Sequence, residues 1–586
     1  MARGRVAALA AVLAFAAAGA GAAQPAPKPV LGSPAYVPGQ VVVRFKANAG
    51  SQKRFEALSS ESARTLAPLG VAGLQLVHVD GSVPQAVAAL ESDPAVEYAE
   101  PNWTYHALAT ANDPRLLDLW GLRKISAPAA WNVTTGSSAV TVAVVDTGVA
   151  TDHPDLAPNI VPGWDFVQND ADPRDFNGHG THIAGTIGAR GDNGLGVAGV
   201  NWRVGLMPVR VLDGSGTGSN ANVAAGFAYA CAHGADVVNA SLGGTSYSQA
   251  MRDAIASPAC ANTLFVVAAG NDGISDDRYP TYPCSYGAAP DDLPNVICVA
   301  ATDSTDALAS FSNFGSSVDL AAPGVAIAST WPAYETLATE GFDDLGSWTA
   351  SSVGGLPFGL SPLHVSGSSS AADSPNGPYS PNSDTWLVRR SSMASLTGHL
   401  GCRLFYDLRL DAQATHGYFY VLGSVAGQQF AGSPWTGSTG GSFVPLSTDV
   451  SVLDGSPTLV PALRFVSDGM ALVGDGGEVD DLSLACLKPA AESYSTISGT
   501  SMATPHVAGV AALVKAAHPS YTVLQVKAAI LRGVDRLPSL EGKVATGGRL
   551  DACKALGCTT AFRPPGAVRH ARTAWAKKRV WLGRGR

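Results

Sequence analysis

The sequence has few charged residues, since Asp, Glu, Lys and Arg make up 15 % of it while hydrophobic residues make up 46 %. This balance excludes an intrinsically disordered chain and favours globular domains with large cores. The formal net charge of −9 gives no reason to expect a nucleic-acid partner. After the N-terminal segment, no apolar run approaches the roughly 18 residues of a membrane helix. No Cys/His cluster suggests zinc, and a single DTG triplet is too few for the paired carboxylates of aspartic peptidases.

The first 23 residues are typical of a secretory signal peptide. Arg3 and Arg5 precede an Ala-rich apolar run, and Ala-Gly-Ala triplets near residues 20–23 resemble a cleavage site. The run is too short and too rich in Ala and Gly for a stable membrane span. We therefore expect an exported protein, extracellular or periplasmic, that is monomeric and has no membrane span.

Eight cysteines in an exported chain favour disulfide bonds. Pairing between neighbours along the chain is the simplest expectation, although sequence alone does not determine the connectivity. The expected pairs are Cys284–Cys298, Cys553–Cys558, Cys402–Cys486 and, by elimination, Cys231–Cys260.

Changes in sequence pattern divide the rest of the chain into segments. Strand and helix patterns alternate over 36–107, which predicts a small α+β module. From 112 to 333, apolar runs such as TVAVVD and TLFVVAAGN end in polar or glycine residues, as buried strands of a parallel sheet do. Helical patterns return over 491–558. The sequence therefore predicts an α/β domain, built from 112–333 and 491–558, with helices on both faces of a parallel sheet.

Residues 334–490 interrupt this pattern. The segment is rich in Ser, Gly and Asp, and apolar residues alternate with a period of two in stretches such as CRLFYDLRL and HGYFYVLGS. Such alternation predicts an inserted antiparallel β-sandwich, similar to a jelly roll. Its role is open between recognition of a glycan or protein and that of a spacer or lid. The last segment, 559–586, has eight Lys/Arg and no acidic residue, and we expect a disordered basic tail.

Three polar blocks in the order Asp, His, Ser contain the candidate chemistry. Asp146 ends the strand pattern VAVVD, His179 opens HGTH, and Ser501 lies in GTSMATPHVAG. A serine hydroxyl is a poor nucleophile until a base takes its proton, and histidine is the commonest base. A buried carboxylate fixes the tautomer of that histidine and stabilises the imidazolium. These blocks predict Ser501 as nucleophile, His179 as base and Asp146 as its orienting acid, whereas His182 and His506 are expected to be structural.

At these blocks the chain resembles the subtilisin-like serine peptidases, and in particular their thermitase-like members. The motifs VVDTG, HGTHIAGT, SLGG, AAGN and SGTSMATPHVAG are all present. The resemblance implies a subtilisin-like fold and a secreted endopeptidase that acts on polypeptides through an acyl-enzyme. It also implies an oxyanion hole formed by the Asn271 side chain and the Ser501 N–H. The substrate-pairing residues that it implies are Ser241, Leu242, Gly243, Gly214, Ser215 and Gly216.

The resemblance further implies structural calcium. Asp113, Asp155 and Asn193 match a calcium site of the thermitase-like members, which backbone carbonyls near Arg190, Leu195 and Val197 would complete. A second acidic loop resembles another calcium loop of that group, and it fits solvated charge equally well. The loop's candidate ligands are Asp165, Asp170 and Asp172.

The module at 36–107 resembles the propeptides of this family, which inhibit the enzyme and assist its folding. The chain is therefore expected to be a zymogen that processes itself, with VEYAEPNW as the end of the inhibitor. Two alternatives remain open at this point. One is a catalytically inactive binding protein in which the insert binds the ligand. The other is a processing peptidase with few targets.

Overall fold

The computed structural model describes residues 36–103, 111–425, 429–432, 434–470 and 474–558. The expected signal peptide and basic tail lie outside these described residues. The chain divides into two compact units, 1–107 and 108–586. Among the described residues, no helix is both long enough and apolar enough to cross a membrane.

The first unit has the predicted α+β character. Its elements are β1 (Tyr36–Phe45), α1 (Ser51–Ser59), β2 (Arg64–Pro68), β3 (Leu74–His78), α2 (Val83–Ser92) and β4 (Val96–Trp103). In the described part of this unit the strands form an antiparallel sheet with the order β2-β3-β1-β4. Because successive side chains of β1 point to opposite faces, Val41, Val43 and Phe45 lie on the same face. They pack with Leu90 of α2 in the core of this unit. The segment VEYAEPNW is β4 and pairs with β1.

The second unit begins with alternating helices and strands. These are α3 (Trp120–Lys124), α4 (Ala127–Ala130), β5 (Gly136–Asp146), β6 (Trp164–Asp165), α5 (His179–Gly188), β7 (Arg203–Arg210), α6 (Asn220–Ala232), β8 (Val237–Ala240), α7 (Gln249–Ala256), β9 (Leu264–Ala268), β10 (Val296–Thr302), β11 (Leu320–Pro323) and β12 (Ile327–Thr330).

Twelve described strands of the insert follow. They are β13 (Tyr334–Glu340), β14 (Trp348–Val353), β15 (Gly359–Ser361), β16 (Ser370–Ala372), β17 (Asp384–Arg389), β18 (Arg403–Asp411), β19 (Gly417–Val425), β20 (Gln429–Ala431), β21 (Pro434–Trp435), β22 (Val444–Asp449), β23 (Val460–Ser467) and β24 (Gly476–Leu487). One antiparallel sheet has the order β15-β16-β24-β18-β22, with β13 also on β24. The other has the order β14-β17-β23-β19-β20, with β21 also on β19. Their alternating apolar residues share one core, as a sandwich requires.

The chain then returns to the α/β domain through β25 (Tyr494–Ile497), α8 (Thr500–Ala517), α9 (Val523–Arg532), β26 (Asp535–Arg536), β27 (Gly548–Arg549) and α10 (Ala552–Ala555). The large sheet has the order β26-β27-β11-β10-β9-β8-β5-β7-β6 among the described residues, and the strands from β11 to β6 are parallel. Val142 and Val144 of β5 belong to one core cluster, and Ala143 and Val145 belong to a second. Successive side chains of β5 therefore enter different cores, and the predicted fold class is confirmed.

A two-stranded pairing closes the base of the insert. β12 and β25 are antiparallel, with Thr330 opposite Tyr494, and β13 continues beside β24, with Tyr334 opposite Leu487. The two ends of the insert therefore leave the α/β domain side by side. All four expected disulfides are present: Cys231–Cys260, Cys284–Cys298, Cys402–Cys486 and Cys553–Cys558.

Candidate active site

Asp146 and His179 meet at the carboxyl edge of the large sheet. Asp146 is the last residue of β5 and is fully buried, and His179 is the first residue of α5. His179 Nδ1 lies 2.7 Å from Asp146 Oδ1, which also accepts the Thr147 N–H at 2.8 Å. Burial lowers the pKa of His179, but the charge and hydrogen bond of Asp146 and the charge of Asp175 outweigh it, so the pKa is raised above 6.5. With Nδ1–H donated to Asp146, Nε2 is left for proton transfer.

Asp175, which the sequence analysis missed, shapes the loop that leads to His179. Its buried carboxylate accepts the Thr147 hydroxyl at 2.9 Å and the backbone N–H groups of residues 177 and 178, both at 2.8 Å. The other oxygen accepts the Thr181 N–H and hydroxyl at 2.9 and 2.6 Å. This carboxylate therefore ties the strand end at Asp146 to the helix start at His179. The run Asp-Phe-Asn-Gly is a turn signature that could have indicated the residue.

Ser501 lies in the first turn of α8. Its hydroxyl donates to the carbonyl oxygen of Ser241 at 3.0 Å, and the Ser241 hydroxyl donates to the carbonyl oxygen of Ser501 at 2.9 Å. Among the described residues, no hydrogen bond joins the side chains of Ser501 and His179. In this state the hydroxyl of Ser501 is therefore held by the segment that follows β8.

Asn271 lies in the loop that follows β9 and contacts the start of α8. Its Oδ1 atom accepts the Thr500 N–H at 2.8 Å and the Thr500 hydroxyl at 3.0 Å. A Cβ atom placed on Gly499 would lie 3.6 Å from both Asn271 Nδ2 and the Ser501 nitrogen. The Asn271 side-chain nitrogen and the Ser501 backbone nitrogen therefore lie on the same side of the start of α8.

Two neighbouring cavities are lined by the expected substrate-pairing residues, apart from Gly214. A cavity of about 650 Å³ is lined by His179, Ser215, Gly216 and the 241–243 segment. A second cavity, of about 230 Å³, is lined by that segment together with Asn271 and Ser501. The two predicted segments therefore border one continuous run of surface beside the candidate catalytic groups.

Gly214, which belongs to the expected substrate-pairing set, contacts the insert. It is buried, and its carbonyl oxygen accepts Arg403 Nη1 at 2.7 Å and Asn177 Nδ2 at 3.0 Å. A Cβ atom at this position would lie 1.8 Å from Asp449 Oδ2. The insert therefore covers Gly214, whose carbonyl oxygen already accepts two hydrogen bonds.

The side chains of the first expected calcium site lie close together. The fully buried Asp155 accepts Asn193 Nδ2 at 2.9 Å on Oδ1, and the Val197 N–H at 3.0 Å and the Tyr494 hydroxyl at 2.9 Å on Oδ2. Asp113 is 4 % exposed, and its buried Oδ1 atom has no hydrogen-bond partner among the described residues. Burial, with a smaller contribution from the charge of Asp155, raises the pKa of Asp113. An orphaned carboxylate oxygen beside a second carboxylate and an amide fits a hard cation.

In the second acidic loop, two carboxylates lie next to arginine side chains. Arg210 Nη1 donates to Asp165 Oδ2 at 2.7 Å, and both side chains are buried. Asp170 accepts the Asp172 N–H at 2.9 Å, and the Asp172 carboxylate lies 3.6 Å from Arg174 Nε. The guanidinium of Arg210 therefore supplies a positive charge to Asp165, and a calcium ion at Asp165, Asp170 and Asp172 stays a prediction.

His182 and His506 are packed inside the domain. His182 Nε2 lies 2.8 Å from the Ile327 carbonyl oxygen, and His506 Nδ1 lies 2.9 Å from that of Met502. Burial lowers the pKa of His182 to about 3 and that of His506 to about 4. Both rings are therefore neutral at physiological pH and act as structural groups.

Comparison with known proteins places this chain among peptidases. Residues 137–372 and 452–548 match the subtilase family, and residues 22–102 match the fervidolysin N-terminal prodomain. The chain is 40 % identical over 298 residues to the thermophilic serine proteinase of Bacillus sp. strain AK1. The aligned region covers 50 % of this chain and 72 % of that protein. The chain is 45 % identical over 224 residues to thermitase of Thermoactinomyces vulgaris. This aligned region covers 38 % of this chain and 76 % of that protein. A solved protease structure from Pseudoalteromonas arctica is 26 % identical and covers 77 % of this chain and 99 % of that one, with a TM-score of 0.44.

Proposed function

Because the chain belongs to the subtilase family and is a serine-type endopeptidase with a prodomain, we propose that Ser501, His179 and Asp146 are its catalytic triad. Ser501 Oγ attacks the carbonyl carbon of the scissile peptide bond while His179 Nε2 accepts the hydroxyl proton. Asp146 holds the imidazole through Nδ1–H and stabilises the imidazolium. His179 then protonates the leaving amine, and water releases the acid product from the acyl-enzyme.

The observation that carries this proposal is the 2.7 Å contact between His179 Nδ1 and the buried Asp146 carboxylate. A rotation of the Ser501 hydroxyl away from the Ser241 carbonyl would make its proton available to Nε2. Apo sites often complete this hydrogen bond only when substrate is bound. Asn271 Nδ2 and the Ser501 N–H are the proposed donors to the developing oxyanion.

Substrate recognition is proposed for the exposed parts of the two expected segments. Ser215 and Gly216 on one side, and Leu242 and Gly243 on the other, line the cavities next to the proposed triad. An extended polypeptide that pairs with such edges gains backbone hydrogen bonds irrespective of its sequence.

Calcium, zymogen processing and export complete the proposed function. Asp113, Asp155 and Asn193 are the residues that would hold a structural calcium ion, whose charge would offset the two buried carboxylates. The prodomain would inhibit the enzyme until the chain cuts itself after the first unit. Export is supported by the signal-like first 23 residues.

A fluorophosphonate probe tests the proposal, because it reacts with an activated serine and not with an ordinary one. We expect the processed wild-type protein to be labelled and Ser501→Ala to be unlabelled. Ser304→Ala, which changes an exposed serine outside the site, should be labelled like the wild type. A processed and folded wild type that takes no label would refute the triad and favour a silent binding protein. If the wild type is labelled, cleavage of a random peptide library separates a broad endopeptidase from a processing enzyme.

A further inference from the structure

We propose that the inserted sandwich forms part of the substrate-binding machinery, and that Arg403 of β18 is the residue that positions it; this inference rests on the proposed function. Arg403 is 5 % exposed. Its Nη1 atom donates to the carbonyl oxygen of Phe176 at 2.6 Å and to that of Gly214 at 2.7 Å. One guanidinium nitrogen of the insert therefore bridges two separate loops of the α/β domain.

Both loops lead directly to the proposed site. Phe176 lies three residues before His179, and Gly214 immediately precedes Ser215, which lines the cavity next to His179. The Gly214 carbonyl also accepts Asn177 Nδ2 at 3.0 Å, and Asn177 Oδ1 accepts the His179 N–H at 3.2 Å. A continuous chain of hydrogen bonds therefore runs from the insert to the substrate edge and to the catalytic histidine.

The other donors of Arg403 stay within the sandwich. Its Nε and Nη2 atoms donate to the Ser447 hydroxyl of β22 at 3.1 and 2.9 Å. Among the described residues, no carboxylate forms an ion pair with this guanidinium. A buried cation satisfied only by neutral oxygens has a desolvation cost that an apolar side chain would avoid. What the guanidinium supplies instead is a rigid plane: Ser447 fixes its Nε and Nη2 atoms, and this sets the position from which Nη1 donates to both carbonyls.

Close packing reinforces the contact. A Cβ atom on Gly214 would lie 1.8 Å from Asp449 Oδ2, and one on Gly401 would lie 2.8 Å from the Phe176 ring. Asp449 is opposite Arg403 in the β18–β22 register, and the Cys402–Cys486 disulfide ties the start of β18 to β24. The insert therefore meets both loops through adjacent strands that are covalently and sterically fixed.

The position of this edge should matter for long substrates and not for short ones. A polypeptide that reaches Ser215 and Gly216 depends on the position of that edge, whereas a single-residue ester reaches only the atoms around Ser501. Loss of Arg403 should therefore reduce the binding of extended peptides more than the hydrolysis of small esters.

The test compares Arg403→Met with wild type in the full chain, using an eight-residue fluorogenic peptide and a single-residue ester. Enzyme concentration is set by fluorophosphonate titration. We expect the ratio of kcat/KM for the peptide to that for the ester to fall roughly tenfold, mainly through the KM of the peptide, as for a lost charged hydrogen bond. Arg403→Lys, which keeps the charge without the fork, should give an intermediate ratio. The matched control is Arg409→Met on the same strand, whose guanidinium pairs with Asp475 and Glu478 inside the sandwich, and it should leave the ratio unchanged.

An unchanged ratio in folded Arg403→Met, or an equal fall in Arg409→Met, would overturn the inference. If Arg403→Met does not fold, Ser447→Ala removes the hydroxyl that orients the guanidinium, and a normal ratio in that variant would likewise overturn it. Failure of the proposed function is distinct, because wild-type protein would then take no probe and hydrolyse neither substrate.

Discussion

Ser241 and Ser501 hold each other through two reciprocal hydrogen bonds, each from a side-chain hydroxyl to the other residue's carbonyl oxygen, at 2.9 and 3.0 Å. The first of these bonds has a local cause. Pro505 lies four residues after Ser501 inside α8 and has no N–H to donate to the Ser501 carbonyl. The Ser241 hydroxyl takes the place of the missing helix bond, so the proposed nucleophile is held by the segment that follows β8.

Ser241→Ala should therefore destabilise the helix start as well as the position of Ser501. The change leaves the Ser501 carbonyl and the buried Asn239 amide, which donates to Ser241 Oγ at 2.9 Å, without a partner. An unsatisfied buried polar group costs about 1–3 kcal/mol. We expect a fall in Tm of roughly 4–8 °C and a lower kcat in the titrated enzyme. Thermal melting checks this against Ser304→Ala, and equal melting curves for the two variants would contradict it.

Asn271→Ala should lower kcat by about 10²–10³ with little change in KM, because its amide is proposed to act only on the oxyanion. Thr500→Val is the informative partner variant. It removes the hydroxyl that donates to Asn271 Oδ1 at 3.0 Å and keeps the N–H that donates at 2.8 Å, so its effect should be smaller. Steady-state kinetics on one peptide substrate measures both. A rise in KM with unchanged kcat would assign Asn271 to ground-state binding instead.

The pH dependence of kcat/KM should show an acid limb with a midpoint above 6.5. His179 must be neutral to accept the serine proton, and the Asp146 carboxylate raises its pKa above that value despite the opposing effect of burial. Activity is therefore lost as pH falls through this raised pKa and is complete above it. In Asp146→Asn the residual activity should have its midpoint at lower pH, whereas Asp118→Asn, at an exposed carboxylate, should not shift the profile. A wild-type midpoint below 6.5 would contradict the assignment.

Calcium removal should lower the stability of the wild type. A ligand present at 100 times its Kd stabilises the folded state by about 2.7 kcal/mol, so chelation should lower Tm by roughly 5–10 °C. Asp155→Asn should abolish this difference. Asp165→Asn breaks the buried pair with Arg210 and should lower Tm both with and without calcium, while the difference between the two conditions persists. Identical melting of wild type with calcium and with chelator would exclude a structural calcium ion.

The elements around the proposed triad were predictable because local patterns mark them. Asp146 ends a strand whose side chains are buried on both faces, and His179 and Ser501 open helices rich in small residues. The period-two alternation of CRLFYDLRL likewise indicated a sandwich, because buried and partly exposed residues alternate along most of β18. In each case the signal and the structure depend on residues only a few positions apart.

The contacts of Gly214 and Asp165 could not be predicted from the sequence, for the opposite reason. The partner of Gly214 is Arg403, 189 positions away, and the partner of Asp165 is Arg210, 45 positions away. A glycine near an expected cleft and an acidic loop have the same local pattern whether or not an arginine reaches them. Nothing near either residue in the chain distinguishes a free group from an occupied one.

The sequence by itself determined the types of the main elements, the candidate chemistry and the presence of an insert, because periodicity and short motifs act over a few residues. Only the tertiary structure decided that Ser241 holds Ser501, that β12 and β25 bring the ends of the insert together, and that Arg403 reaches the carbonyl oxygen of Gly214. These contacts join residues far apart in the chain, and they exist only once the sheet, the closing helix α8 and the sandwich have packed.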